Sequence, residues 1–138
     1  YEPYLSTVRA NPQAGKILAT TLDYPMVMDT VGCDPKWLKA NPKAAAALTK
    51  SYFDALEMVK AEPAKANELM GSAVKQSGEA FAKSSAYLRW QDHAANQKFF
   101  AGEIQDFMKQ AAAILLEAGV IRKLPDDYTA MVDTQFIK

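Results

Sequence analysis

The sequence predicts an α/β fold in which short strands precede a mainly helical section. Three observations carry this expectation. Residues 16–21 (KILATT) and 26–31 (MVMDTV) are short apolar runs with β-branched residues, separated by an Asp-Tyr-Pro bend and bounded by Gly15 and Gly32. Neither alternates cleanly between apolar and polar residues, which favours strands covered on both faces. From Asp34 onward the punctuation turns helical, with Asp34-Pro35 and Asn41-Pro42 each setting a proline at a first helical position and Glu62-Pro63 breaking or restarting the helix before it.

Pro3, with Glu2 ahead of it, predicts a short first helix through Arg9 that Asn11-Pro12 stops. After the two strands, Asp34 and Asn41 supply side-chain oxygens at the N-caps of two helices. The second of these runs to about Ala61. Ala44, Leu48, Tyr52, Ala55, Leu56 and Val59 recur along it at three- and four-residue steps, which predicts one apolar stripe facing the core. Leu69, Met70, Ala73 and Val74 carry a further helix to a turn at Ser77-Gly78. Between Phe81 and Phe100 the pattern weakens, and Tyr87-Leu88-Arg89-Trp90 suits a helical or an extended backbone alike. Regularity returns at Glu103: Ile104, Phe107, Met108, Ala111, Leu115 and Ala118 line one face of a helix that Gly119 closes.

Sixteen basic residues balance sixteen acidic ones, and the lysines are scattered, so no basic stripe offers a surface to nucleic acid. No run approaches the roughly 20 apolar residues of a membrane span. Cys33 is the single cysteine; it excludes an internal disulfide and suits either the cytosol or an exported protein. Its place ahead of a helix start favours a thiolate, yet no accompanying base or oxyanion site is legible, and a small buried residue at a strand end is the plainer reading. His93 follows Asp92, but adjacent residues on a helix do not converge as a base and its orienting carboxylate must. Asp126-Asp127 lacks the alternating oxygens of a calcium loop and suits a capped turn. No phosphate loop, dinucleotide fingerprint or metal spacing is present. The expectation is a protein that is not an enzyme, with no cofactor and no metal.

The order of the pieces carries more than any of them alone. "EPYLS", then "WLKANPKAAAALTKSYFDAL", then "LLEAGVIRKLP…VDTQFI" resembles, along the whole chain, the C-terminal half of ABC-transporter substrate-binding proteins of the nitrate, sulfonate, taurine and thiamine-pyrimidine-precursor group. Those proteins have a periplasmic-binding-protein-like fold of two α/β lobes around a ligand cleft. The resemblance implies that residues 1–25 are the end of the second lobe and a hinge-crossing strand, and that residues 26–138 are the C-terminal part of the first lobe. It further implies a periplasmic or extracytoplasmic location, a small-molecule solute, and an ABC permease as the parent's partner. By the same likeness Tyr1 and Glu2 lie near the cleft rim, and Tyr24 and Pro25 follow the returning strand, so these four are the candidate ligand-binding residues. Structural roles compete: Tyr24-Pro25 suits a simple bend, and Glu2 suits the positive end of the first helix.

The family's greater length implies that an N-terminal half is missing, and the chain opens on Tyr1 without a leader. Two unpaired strands then predict self-association, as a homodimer through those strands, or association with the missing half. Two other classes stay open. Thiamine-pyrimidine synthases share the fold group, although their cysteine-rich motif has no counterpart here, and a free-standing, mainly helical interaction domain suits the second part of the chain.

Overall fold

Proline-led starts divide the chain into short helices. The computed structural model describes residues 4–24 and 27–138, and among these residues it contains helices and turns but no β-strand. The α/β expectation, with strands at 16–21 and 26–31, is therefore corrected: the described chain is mainly helical. The physical reason is that a strand is a property of a pair. Residues 16–19 and 27–33 form no regular element; their backbones make no hydrogen bond to a described residue that would complete a ladder, and most of them are exposed.

The helices are α1 (Tyr4–Ala10), α2 (Pro35–Ala40), α3 (Pro42–Ala61), α4 (Pro63–Ala73), α5 (Gly78–Ser85), α6 (His93–Lys98) and α7 (Ile104–Glu117). A segment kinked at Gly102 (φ 173°, ψ −35°), Phe99–Glu103, joins α6 to α7, and a 3-10 turn, Thr129–Met131, lies in the tail. No described helix is long and apolar enough to cross a membrane.

The expected starts of α2 and α3 are borne out. Asp34 caps α2 by accepting from the amides of Lys36 (2.7 Å) and Trp37 (3.1 Å). Asn41 behaves differently from its expected capping role. It closes α2, its Nδ2 donating back to the Trp37 carbonyl at 3.0 Å. The apolar stripe of α3 is also rotated from expectation. Ala45 and Leu56 are buried and Thr49 and Phe53 half-buried, whereas Leu48 and Tyr52 are exposed. Tyr52 has a polar reason to turn outward, because its hydroxyl donates to the Gln91 carbonyl at 3.1 Å.

The chain forms two compact units. The first takes Tyr1–Val27 with Asp54–Trp90, the second Met28–Phe53 with Gln91–Lys138, so that α3 contributes a part to each. In the first unit α4 and α5 pack as a tight hairpin. Gly71 of α4 sits so close to the start of α5 that an added Cβ would lie 2.9 Å from the Ser77 carbonyl oxygen, and one on Gly78 would lie 3.0 Å from the Glu68 Cα. The residues at 77 and 78 were expected as a turn; Ser77 is instead the cap of α5, its hydroxyl accepting from the Ala80 amide at 3.1 Å. Also in this unit, the Arg9 guanidinium lies 4.1 Å above the Tyr87 ring.

Two helices end in the same device. The amides of Gln76 and Lys75 return to the carbonyls of Gly71 (2.8 Å) and Ser72 (3.2 Å), and those of Val120 and Gly119 return to Leu115 (2.9 Å) and Leu116 (3.0 Å). Each requires a left-handed residue after the helix. Gly119 (φ 70°) meets that need without strain, as its sequence position predicted, but at the end of α4 the residue is Lys75 (φ 59°). Replacing Lys75 by glycine is expected to raise stability by about 1 kcal/mol, since left-handed backbone is costly for a residue with a Cβ. Urea melts of the two proteins measure the difference, and a loss of stability would show that the lysine side chain does something its backbone does not reveal.

In the second unit the buried residues are Ala45, Ile104 and Ala112. Phe99 stands edge-on to Phe100 (6.0 Å between centroids) and to Phe107 (6.3 Å), so the kinked segment gathers aromatic rings at the start of α7.

Candidate functional site

Of the four residues that the resemblance assigned to ligand, Tyr1, Glu2 and Pro25 lie outside the described residues. Tyr24 ends a turn that satisfies its own polar groups. The Asp23 carboxylate accepts from the Thr20 amide (3.0 Å) and hydroxyl (3.1 Å), and the Thr20 carbonyl accepts from the amides of Asp23 (3.1 Å) and Tyr24 (3.4 Å). The Tyr24 side chain stands in solvent, 68% exposed. This geometry holds the bend; by itself it builds no cleft.

The other chemistry-bearing residues fall into structural roles. Asp92 caps α6, its Oδ1 accepting from the Ala95 amide at 3.0 Å, and so does not serve the adjacent His93. The His93 ring packs edge-on to Phe53, 4.9 Å between centroids. Asn96 Nδ2 donates to the Gln91 and Asp92 carbonyls (2.8 and 3.0 Å), and the Tyr52 hydroxyl reaches the same Gln91 carbonyl, so this corner is a clasp on the start of α6. The pairing of Asp92 with Asn96, a cap and a back-bonding amide four residues apart, was the available sign that the uncertain stretch ends in a helix start.

Cys33 is exposed beside the start of α2, where Asp34 already occupies the amides that would stabilise a thiolate. Asp126 pairs with Lys123 at 3.3 Å. The Asp127 carboxylate accepts from the Thr129 hydroxyl (2.6 Å) and amide (2.7 Å), which hold it below the usual carboxylate range. Both belong to a capped turn, as expected, and no grouping of three metal-ligating side chains occurs among the described residues.

Two depressions stand out among the described residues. The larger is an open groove of the α4–α5 hairpin, lined by Asn67, Glu68, Ser72, Lys75, Gln76 and Glu79 among others. Its charges are mixed and Glu79 is engaged with Lys83 at 2.7 Å, so it selects no charge. The smaller lies between Phe100, Gln97 and the C-terminal Thr134 and Ile137. The feature that sequence reasoning placed wrongly is the pair of runs at 16–21 and 26–31: Leu18 (89% exposed), Val27 and Val31 (74%) carry large apolar side chains into solvent, where buried strands were expected. No family model matches this chain, and no curated protein or solved structure matches it.

Proposed function

We propose that this chain is part of a solute-capture protein of an ABC importer, a substrate-binding protein for a small anionic or heterocyclic solute such as nitrate, a sulfonate, taurine or a pyrimidine precursor. The observation that carries the reading is the ordered series "EPYLS", "WLKANPKAAAALTKSYFDAL" and "LLEAGVIRKLP…VDTQFI" along one chain. The exposed apolar residues before α2 support it. Leu18, Val27 and Val31 have no cover within the described residues, as expected of a segment that the rest of a larger receptor overlies.

In such a receptor the solute is held by polar groups and helix N-termini converging in a cleft, the closed form is presented to a membrane permease, and no covalent step is needed. Tyr1, Glu2, Tyr24 and Pro25 are the residues of this chain assigned to the cleft. Affinity then needs both walls, because polar contacts left open to water contribute little.

Calorimetry tests the proposal with two proteins, this chain and the product of its full reading frame, against nitrate, taurine, alkanesulfonates and pyrimidine precursors. The larger product is expected to bind one of them at micromolar or tighter concentration, and this chain alone weakly or not at all. Micromolar binding by this chain alone would contradict the half-receptor reading. A full product that binds none of them would favour a helical interaction domain, for which the observed predominance of helix speaks.

A further inference from the structure

The end of α7 is apolar on more sides than the fold covers. Ile114, Leu115 and Leu116 are consecutive, so they span roughly 200° of the helix circumference. All three are exposed. The chain then turns at Gly119, and the amides of Val120 and Ile121 both return to the Leu115 carbonyl (2.9 and 3.3 Å), which fixes Val120 beside the last turn. Val120 is 68% exposed, and Leu124 beyond it is exposed too. A cap of this kind commonly packs one apolar residue after the turn against one in the last turn. That accounts for a single pair, such as Leu115 and Val120, and leaves the rest of the five apolar side chains in water, a cluster that soluble monomers seldom expose.

The charges at its rim indicate what covers it. Along this part of the chain Glu103 pairs with Lys98, Asp106 with Lys109, and Lys123 with Asp126. Glu117 and Arg122 are exposed and make no ion pair among the described residues. They are one of each sign, and they flank Val120 on either side. Glu117 also ends α7, where a carboxylate opposes the helix dipole and a basic residue would suit it. Local helix stability therefore gives no reason for a glutamate there, whereas an arginine arriving from outside does.

We propose that two copies of this chain associate across this end of α7. An apolar centre with one unpaired charge of each sign is complementary to itself: about a two-fold axis Glu117 of each copy meets Arg122 of the other, with the apolar residues between the two charge pairs. One helix end and its turn are small beside the roughly 800 Å² per partner of a standard interface, so the dimer is weak and reversible. It is independent of the solute reading, since its surface lies wholly in α7 and the turn after it.

Sedimentation equilibrium from micromolar to near-millimolar concentration, with intact mass on the same sample, reads the association. The wild-type mass is expected to rise with concentration from one chain toward two. Val120→Asp sets a charge in the apolar centre without touching a buried side chain, and is expected to give a monomer at every concentration with unchanged helical circular dichroism. Glu117→Arg opposes like charges at both rim contacts and is expected to weaken the dimer roughly tenfold. The same change suits the helix dipole, so the melting temperature of the monomer stays the same or rises. Glu117→Arg with Arg122→Glu restores the pairs with their signs exchanged, and with them the dimer. A wild-type chain that stays monomeric, which would leave the patch to another part of the chain or to a different protein, overturns the proposal. So does a dimer indifferent to Val120→Asp, or a double exchange no tighter than Glu117→Arg alone. The charge exchange decides even if the Val120 variant fails to fold.

Discussion

Replacing Leu56 by alanine is expected to destabilise the chain by about 3 kcal/mol, within the 2 to 5 kcal/mol that truncating a buried leucine costs. Leu56 is 5% exposed and is the largest aliphatic side chain besides Ile104 among the buried residues, whose other members are alanines and Gly71. A core so thinly supplied with large side chains depends heavily on each of them. Truncation also leaves a cavity wherever the neighbouring side chains relax only in part. Leu48→Ala on the same helix is the control, since Leu48 is half exposed and removes little buried surface. Its change is expected to stay within about 1 kcal/mol. Denaturant melts of the two variants distinguish the observed register of α3 from the one expected from sequence, in which both leucines face inward; equal losses would restore the latter.

Gly71→Ala is expected to destabilise by about 2 kcal/mol although alanine is the better helix former. The helix propensity gain in α4 is about 1 kcal/mol. Against it stands a Cβ built 2.9 Å from the Ser77 carbonyl oxygen and 3.0 Å from that of Gln76. Both obstacles are backbone, held by the turn that returns the Gln76 amide to Gly71, and neither can swing aside as a flexible side chain would. The hairpin must open, which forfeits contacts along its whole length. At Gly32 an added Cβ meets nothing within 4 Å, so Gly32→Ala is expected to change stability by less than about 0.5 kcal/mol. A neutral Gly71→Ala would mean that the close approach of α4 and α5 is not maintained in solution.

What the sequence disclosed was local. Pro35 and Pro42 sit at first helical positions, Asp34 caps α2, and Gly119 takes the left-handed place after α7, because each of these is decided within a few residues. The phase of α3 was misread for an identifiable reason: Ala44 to Ala47 offer no contrast between an apolar and a polar side, so the stripe was fixed by Leu48 and Tyr52, both of which turn outward. Ser77 was taken for a turn because a following glycine punctuates; its hydroxyl, however, starts α5. The two strands failed for the opposite reason to these successes. Residues 16–21 and 26–31 have strand composition, but pairing depends on a remote partner that no local pattern supplies. The candidate cleft was legible only through resemblance, and of its four residues the described structure includes Tyr24 alone, in a bend whose bonds are its own.

The close crossing of α4 and α5 also bears on how the chain acquires its structure. The connection between Ala73 and Gly78 is four residues, 74–77, and closing so short a loop takes well under a microsecond, on the order of 0.1 μs or less. Ser77 and the left-handed Lys75 preset its path, and Gly71 and Gly78 admit the contact without any side chain having to find its rotamer first. The conformational search at this point is therefore brief. A pair of helices that meets through neighbours in sequence is formed before contacts that must bring residues such as Arg9 and Tyr87 together across most of the chain's first two thirds. Hydrogen exchange during refolding would accordingly protect the amides of residues 66–82 ahead of those in α1.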